Sequence, residues 1–281
     1  MARRPVRIER RNAQFQQWQA LLTNRTKRTR SGEMVIQGVR PLTLALEHGI
    51  EIRTLLSDGR ETPSRWAREL LADPPAPVID LAPELMAELG ERDEGTPELL
   101  ALAAIPADDL SRLSPEVLGP DALVVAFDRP SGPRNIGSLV RSADALGASA
   151  VITTGHAADV WDPAAIRAST GSVFALPVLR LSSPREVLAH LEGQRAGGVD
   201  WRVVGLDEAG GHTLESTDLT GPVLLVVGNE TAGMSAQWRE ACAVIAEIPM
   251  VPGTGASSLN AAVAGSIALY EARRQRDAAA R

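Results

Sequence analysis

The 281-residue sequence predicts an α/β protein with a parallel sheet in its C-terminal half. The candidate strands there are continuous apolar runs, and helical patterns separate most of them. Strands that are apolar on both faces are typical of a parallel sheet covered by helices on both sides. A smaller unit of alternating short strands and helices precedes it. We divide the chain into four parts: a basic N-terminal arm (residues 1–30), a small α/β domain (31–105), a linker (106–120) and the large domain (121–281).

The N-terminal half contains short elements. Residues 12–22 predict a helix that carries Phe15, Trp18 and Leu22 on one face, whereas the polar, basic stretch 23–32 is interpreted as a loop. Strands are predicted at residues 34–36, 52–56 and 78–79, and helices at 41–47, 64–71 and 83–89. Repeated prolines in residues 91–121 indicate a linker with some packed pieces.

The C-terminal half contains longer apolar runs. They predict strands at residues 123–127, 150–152, 174–181, 201–204, 223–227 and 244–248. An Ala-rich helix is predicted from about residue 258 to residue 275.

Charge is unevenly distributed along the chain. The net charge is −6, yet residues 1–40 hold ten basic side chains and two acidic ones. A basic end on an acidic body indicates contact with a polyanion, and the alternative is a solubilising tail. Arg25, Lys27, Arg28, Arg30 and Arg40 are the residues that we expect to bind the phosphates of such a polyanion. No run of about 18 apolar residues predicts a membrane span, and we expect a cytoplasmic protein.

Three candidate strands end in loops that combine Gly with Asn, Ser or charged residues. These loops are residues 128–137, followed by Arg141; residues 228–235; and residues 250–260. Ligands of parallel sheets bind at the carboxyl ends of strands, and a helix N-terminus attracts anions. Each loop taken alone is also explained by ordinary helix capping.

Other chemistries lack their sequence patterns. No GxGxxG follows a strand, which disfavours a nucleotide-dependent dehydrogenase. No P-loop motif is present, and Lys27 is the only lysine. The four histidines have no metal-ligand spacing, so we expect no metal. Cys242 lies between alanines and is interpreted as a small buried filler.

Taken together, the motifs resemble the SpoU (TrmH-like) branch of the SPOUT RNA methyltransferases. Three segments carry the resemblance in the family's order: residues 135–137 with Arg141 and Gly147, residues 228–230, and residues 248–250 with 258–260. Residues 33–105 are similar to the family's small ribosomal-protein-like substrate-binding domain. Residues 12–22 and 155–160 are particularly similar to members that methylate a uridine of large-subunit (23S) ribosomal RNA and confer antibiotic resistance. The resemblance implies a trefoil knot in the C-terminal domain and a homodimer.

The resemblance also implies that S-adenosyl-L-methionine is bound by three loops. The implied cofactor-binding residues are Gly205, Leu206, Gly228, Asn229, Ile248, Met250 and Leu259. Apolar side chains suit the adenine ring, and backbone groups suit its polar edge.

The implied reaction is attack of a ribose 2′-hydroxyl on the cofactor methyl group. The implied catalytic residues are Arg141, Asn135, Glu230, Ser258 and Asn260. An arginine stays protonated, so we expect Arg141 to act through orientation and electrostatics. We expect Glu230 to orient Arg141 or other polar groups. The sequence departs from the family pattern at Arg134, at Thr231 and in a longer 250–258 loop.

We therefore expect ribose 2′-O-methylation of RNA, with a 23S ribosomal RNA uridine as the target. The alternatives are a transfer-RNA 2′-O-methyltransferase and a non-catalytic RNA-binding or ribosome-assembly protein. The presence of the whole implied catalytic set favours an enzyme over a binding-only protein.

Overall fold

Strands and helices alternate along the chain in the computed structural model, which describes residues 6–91, 95–253 and 255–280. The strands are β1 (Val6–Ile8), β2 (Glu33–Gln37), β3 (Ile52–Ser57), β4 (Val78–Leu81), β5 (Leu99–Ala104), β6 (Leu123–Asp128), β7 (Ala150–Thr154), β8 (Val178–Leu181), β9 (Arg202–Leu206), β10 (His212–Thr213), β11 (Val223–Val227) and β12 (Val244–Glu247). The helices are α1 (Ala13–Thr23), α2 (Arg25–Ser31), α3 (Val39–Glu47), α4 (Arg65–Ala72), α5 (Pro83–Gly90), α6 (Pro115–Leu118), α7 (Pro133–Ala145), α8 (Pro163–Ala168), α9 (Pro184–Ala196), α10 (Ala236–Ala241) and α11 (Ala261–Ala279).

The chain forms two units, which do not follow a single cut in the sequence. The first unit contains residues up to Pro106 together with Trp161–Phe174. The second unit contains Ala107–Val160 and Ala175–Arg281. Within the described ranges, no helix has both the length and the apolar character needed to cross a membrane.

The second unit is built on a seven-stranded sheet, which confirms the predicted parallel architecture. Its order is β10-β12-β9-β11-β6-β7-β8, and every neighbouring pair is parallel. All residues of β6, β7 and β11 are buried, because helices cover both faces. This explains why these strands read as uninterrupted apolar runs. The threading of the chain that would make a trefoil knot is not defined by strand order, and the knot stays a prediction.

Helices α7 and α11 pack closely on this sheet. A methyl group placed on Gly265 would lie 2.6 Å from Leu139 Cδ1 and 3.1 Å from Val227 Cγ2. Glycine is therefore required where α11 crosses α7 and β11. The Ser266 hydroxyl also donates to Ser142 Oγ at 2.7 Å.

The first unit contains a five-stranded mixed sheet of order β1-β4-β3-β5-β2. Strand β5 lies between β3 and β2 and is antiparallel to both. The sequence analysis did not predict this strand, because flanking prolines and acidic residues mark the region as a linker. All but the last of its residues are buried, and burial between two neighbours favours a strand there whatever flanks it.

The predicted basic arm at residues 1–30 is wrong for the residues that the structure describes. Strand β1 pairs in parallel with β4, and α1 buries Phe15, Trp18, Leu21 and Leu22 against the first unit's core. The stretch predicted as a loop after residue 23 is helix α2, which begins with an Asn24 side-chain cap and ends at the left-handed Gly32. Residues 6–31 are thus part of the fold.

Arg28 shows most directly why the arm prediction failed. Its side chain is 1% exposed, and Nη1 donates to the carbonyls of Leu21 and Leu22 at 2.7 and 3.2 Å. Nη2 donates to Asp162 Oδ2 at 3.0 Å. Arg28 therefore stabilises the end of α1 and anchors a distant segment, so its predicted role in RNA binding is wrong.

The predicted boundaries at residues 106–120 also need correction. This stretch belongs to the second unit, where Leu113 is buried and its carbonyl accepts a hydrogen bond from Gln194 Nε2 at 2.7 Å. Conversely, residues 161–174 belong to the first unit, although they lie within the predicted large domain. Helix α8 packs there against β2, with Ile166 fully buried. Contacts between segments that are distant in sequence decide both boundaries.

Candidate active site

The predicted loops converge because four strands end at the same edge of the parallel sheet. Strands β12, β9, β11 and β6 are consecutive neighbours in register. The loops that follow them start at residues 248, 207, 228 and 129, respectively. Parallel strands place such loops side by side, and the crevice between them is the usual ligand site of an open α/β sheet.

A chain of hydrogen bonds joins three of the five predicted catalytic residues. Asn135 Nδ2 donates to Glu230 Oε1 at 2.8 Å, and Asn260 Nδ2 donates to Asn135 Oδ1 at 3.3 Å. The other Glu230 oxygen, Oε2, accepts the backbone N–H of Ser131 at 2.9 Å. Segments from after β6, β11 and β12 are thus joined by side chains. We call Asn135, Glu230 and Asn260 the polar chain.

Each amide of the polar chain has its orientation set by a partner. Asn260 caps α11, and its Oδ1 accepts the N–H groups of Ala262 and Val263 at 3.0 and 3.3 Å. Its Nδ2 is therefore left to donate to Asn135. The Asn135 oxygen is occupied in turn, so its Nδ2 faces the Glu230 carboxylate.

Glu230 is held in its ionised form. Burial raises the pKa of its carboxyl group, but hydrogen bonds from the Asn135 side chain and the Ser131 backbone outweigh burial and hold the pKa below its ordinary value. Glu230 is therefore an acceptor at neutral pH and is not a proton donor.

The Arg141 side chain is not bonded to the polar chain. It is exposed on α7, and it forms no hydrogen bond or ion pair with another described residue. Glu230 was expected to orient Arg141 or other polar groups. Among the described residues its hydrogen bonds are to other polar groups, the Asn135 side chain and the Ser131 backbone, and none is to Arg141. Ser258 is also exposed, at the rim of the neighbouring cavity.

A cavity of about 330 Å³ lies beside the polar chain and shares Glu230 with it. Six of the seven predicted cofactor-binding residues line it: Leu206, Gly228, Asn229, Ile248, Met250 and Leu259. Ligand pockets for small molecules span roughly 300–1,000 Å³. Met250 and Leu259 are 37% and 36% exposed, so a flat apolar group would bury apolar surface there. These residues fit the adenosine part of the implied cofactor.

Gly205 is the exception: it is not among the described residues that line this cavity, and its cofactor contact stays a prediction. A methyl group placed on it would lie 2.7 Å from Met234 Sδ and 2.8 Å from Cys242 Sγ. Gly205 is therefore required for packing beneath the sheet edge. Burial raises the pKa of the Cys242 thiol to about 11, which agrees with the filler role predicted for this cysteine.

Gly228 serves the loop that it begins. A methyl group on it would lie 2.5 Å from the backbone nitrogen of Met234. The loop closes through reciprocal bonds of 3.0 Å between the backbone groups of Asn229 and Gly233. The side-chain oxygen of Asn229, Oδ1, also accepts the backbone N–H groups of Thr231 and Ala232 at 2.9 Å each. These hydrogen bonds fix the loop backbone. Gly228 is required because the backbone of the same loop packs directly against it.

The sequence analysis missed three charged residues of the cavity wall. Asp207 and Glu208 directly follow β9, and Arg239 pairs with Asp207. Asp207 and Glu208 could have been predicted from the sequence. They are charged residues directly after a candidate strand, which is the pattern that identified the three loops.

The predicted RNA-binding residues lie on the first unit. Arg25, Lys27 and Arg30 are exposed on α2, and Arg40 is exposed at the start of α3. Arg28 lies between them in sequence but is buried. Four of the five predicted residues therefore present cationic surface.

Two family models match the chain, one in its N-terminal part and one in its C-terminal part. The SpoU rRNA Methylase family matches residues 122–270, and the SpoU L30e-like domain matches residues 12–101. The chain belongs to the SpoU rRNA methylase family. The fold class and the family resemblance predicted from the motifs are thereby confirmed.

Individual relatives of this SpoU family member are similar over nearly its whole length. A 23S rRNA (uridine(2479)-2′-O)-methyltransferase of Streptomyces viridochromogenes is 54% identical over 270 residues, which are 96% of this chain and 92% of the relative. The crystal structure of the SpoU methyltransferase AviRb from the same organism, in complex with AdoMet, has a TM-score of 0.89 and 54% identity, with 94% of this chain and 98% of that one covered.

A more distant structure has the same fold. The AdoMet-bound rRNA methyltransferase from Sinorhizobium meliloti has a TM-score of 0.80 and 28% identity, with 95% of this chain and 98% of that one covered.

Proposed function

We propose that this protein transfers a methyl group from S-adenosyl-L-methionine to a ribose 2′-hydroxyl of a 23S ribosomal RNA uridine. One observation carries the proposal: the ionised, hydrogen-bonded Glu230 belongs both to the cavity and to the polar chain. The similarity to the 23S rRNA (uridine(2479)-2′-O)-methyltransferase supports the choice of RNA and nucleotide. With this substrate the enzyme acts in the cytoplasm.

The cavity residues would hold the cofactor. Leu206, Ile248, Met250 and Leu259 would contact the adenine ring, and the backbone of residues 228–229 would contact its polar edge. When bound, S-adenosyl-L-methionine supplies a methyl group on a positively charged sulfonium. The acidic residues Asp207 and Glu208 at the wall favour a cationic ligand.

The polar chain aligns the nucleophile. A ribose hydroxyl is a poor nucleophile, so its rate of attack depends on tight positioning. Asn135, oriented on both sides, holds the geometry of the 131–135 loop or the ribose itself. Arg141 is free to pair with an RNA phosphate and brings positive charge beside the hydroxyl. Ser258, at the cavity rim, donates its hydroxyl to the same phosphate.

RNA is held by exposed cations of the first unit. Arg25, Lys27, Arg30 and Arg40 contact the phosphate backbone. The aromatic content of the chain is only 3%, so RNA shape and phosphate position contribute more to recognition than base stacking does.

The active form is a homodimer that covers the outer face of α11. Val263, Ile267 and Tyr270 are 48%, 37% and 62% exposed, and their spacing places them on one stripe of the helix. A second copy burying this stripe would remove the apolar surface from water. Helix α7 packs beside α11, so Arg141 would lie near the subunit interface. Tyr270→Asp should yield monomers in analytical ultracentrifugation, whereas a dimeric variant would exclude this stripe as the interface.

The direct test of function incubates labelled S-adenosyl-L-methionine with unmodified 23S ribosomal RNA and, separately, with transfer RNA. Ribose methylation gives alkali-resistant dinucleotides, and mapping them identifies the nucleotide. We expect label in one uridine of the ribosomal RNA. Label only in transfer RNA would replace the ribosomal substrate, and cofactor binding without transfer to either RNA would make the chain a binding protein. Drug sensitivity of ribosomes with and without the methyl group then tests the resistance role.

A further inference from the structure

We infer that Arg129 is a positioning residue: it clamps the loop that carries Glu230 to the ends of β6 and β7. The motifs that identified the other site residues do not include this arginine. The inference rests on the proposed methyl transfer for its kinetic consequence, but its structural consequence is measurable without that activity.

Both the backbone and the side chain of Arg129 contact the loop of residues 229–233, which carries Glu230. Its Nη2 donates to the carbonyl of Gly233 at 3.0 Å, and its own carbonyl accepts from Asn229 Nδ2 at 2.6 Å. Asn229 and Gly233 are the two residues whose reciprocal backbone bonds close the loop around Glu230. Arg129 therefore holds the loop at its point of closure.

The other end of the clamp is anchored in the sheet. The Arg129 backbone N–H donates to the Thr154 carbonyl at 2.9 Å, and its Nε donates to Asp128 Oδ2 at 3.1 Å. Asp128 is 1% exposed and also accepts from the Thr154 hydroxyl at 3.0 Å and from the Ser235 N–H at 2.8 Å. One buried carboxylate thus ties together β6, β7 and the residue that precedes α10.

The backbone of Arg129 is in a conformation that favours glycine, with φ at +48°. A non-glycine residue in this conformation is strained, and it persists where the surroundings hold it in place. The conformation lets the carbonyl meet Asn229 while the side chain runs over Gly155. A methyl group on Gly155 would lie 2.8 Å from Arg129 Cγ, so the Arg129 stem fills the space above that glycine. We conclude that the strained conformation is retained because it directs the Arg129 carbonyl to Asn229 and the Arg129 guanidinium to Gly233.

The planar guanidinium is suited to this task. Its Nε and Nη2 groups reach Asp128 and Gly233 at once, whereas a lysine ammonium is a single point on a flexible stem. Arg129→Lys keeps the positive charge beside the buried Asp128, so the protein should remain folded. The same variant should release Gly233 and let the Glu230 loop move.

The kinetic test compares Arg129→Lys with the wild type and with Arg185→Ala, which alters an exposed arginine of α9. A misplacement of about 1 Å at an active site can reduce rates by about 100-fold. We expect kcat of Arg129→Lys to fall at least about tenfold while the KM for RNA changes less than about threefold. Arg129→Ala should lose more activity and regain part of it when guanidinium is added, because the site is 35% exposed and open to small cations. A kcat within twofold of wild type for Arg129→Lys, or no rescue of Arg129→Ala, would overturn the inference.

Amide hydrogen exchange provides the readout that does not depend on activity. The Gly233 and Asn229 amides should exchange at least about tenfold faster in Arg129→Lys, with the β6 amides unchanged, since only local opening is released. Unchanged loop amides would overturn the clamp even if activity fell. A wild-type protein that transfers no methyl group would contradict the proposed function, and the exchange result would still decide the clamp.

Discussion

The candidate site has two sides that are built differently. On the polar side, Asn135, Glu230 and Asn260 bind one another and are held by backbone groups of Ser131 and Ala262. On the open side, Met250 and Leu259 leave apolar surface in water, and the side chains of Ser258 and Arg141 form no hydrogen bond or ion pair with another described residue.

The polar side is already hydrogen-bonded in the folded protein, whereas the open side gains its interactions only when cofactor or RNA binds. Side chains that are already paired lose little freedom when the reaction occurs, so the polar side is preorganised. Exposed apolar side chains and an unpaired arginine gain their interactions only on binding. Substitutions on the two sides should therefore change different quantities.

The largest effect is expected for Arg141→Ala on the open side. Loss of a group that stabilises developing charge typically costs 10²–10³-fold in rate. We expect kcat to fall about 100-fold or more, with cofactor affinity and the unfolding midpoint unchanged, because the Arg141 side chain is exposed and pairs with no residue that the structure describes. Steady-state transfer, calorimetric cofactor titration and thermal unfolding measure the three quantities. Equal losses of transfer and cofactor affinity would make Arg141 structural.

Glu230→Gln tests the polar side. Glu230 accepts from Asn135 and from Ser131, and glutamine offers only one accepting oxygen. One of the two donors would then face an N–H group, and the loop should shift. We expect a fall in kcat of about 10–100-fold, accompanied by a measurable loss of stability.

The matched control is Glu240→Gln, which makes the same chemical change at an exposed position of α10. It should alter neither quantity. If Glu230→Gln behaves like this control, the polar chain has no role in turnover.

Leu259→Ala should weaken cofactor binding and leave kcat almost unchanged, the reverse of what is expected for Arg141→Ala. Removing apolar surface that the cofactor buries should cost about 1 kcal/mol of affinity, or roughly fivefold in Kd. At saturating cofactor, kcat should stay near the wild-type value. Isothermal titration and initial rates at high cofactor concentration separate the two. A loss of kcat with unchanged Kd would assign Leu259 to the polar side.

The smallest effect concerns pH. Because the pKa of Glu230 is lowered in the folded protein, its contribution to stability is complete above its unfolded pKa of about 4.3 and is lost as the pH falls through the lower folded value. The stability difference between wild type and Glu230→Gln should therefore be constant near neutral pH and shrink in acid. Denaturant unfolding from pH 7 to pH 3 measures it, and a difference that grows in acid would contradict the assignment.

Much of the second unit was predictable from local pattern. Strand β11 has the bounds that were predicted, because its five apolar residues are buried on both faces. The loops after β6, β11 and β12 lie side by side, as expected, since parallel strands bring their carboxyl ends to one edge. Three of the five predicted catalytic residues lie together for the same reason.

The failures share a different cause. Helix α2 and strand β5 have sequences that are typical of loops and linkers, and only contacts with neighbouring segments make them regular. Gly205 and Leu206 are adjacent in sequence, yet side chains alternate along β9. The Leu206 side chain therefore lines the cavity, whereas Gly205 packs against Met234 and Cys242 in the interior.

The sequence by itself therefore determined the sheet class, the family and the loops that form the site, because burial and strand direction leave local patterns. Only the tertiary structure decided which of these residues are paired and which are open. Arg28 and Arg30 are two residues apart on α2, but one is buried against Asp162, 134 positions away, and the other is exposed. Partners that distant leave no signal in the residues around an arginine, so its role depends on what the fold places beside it.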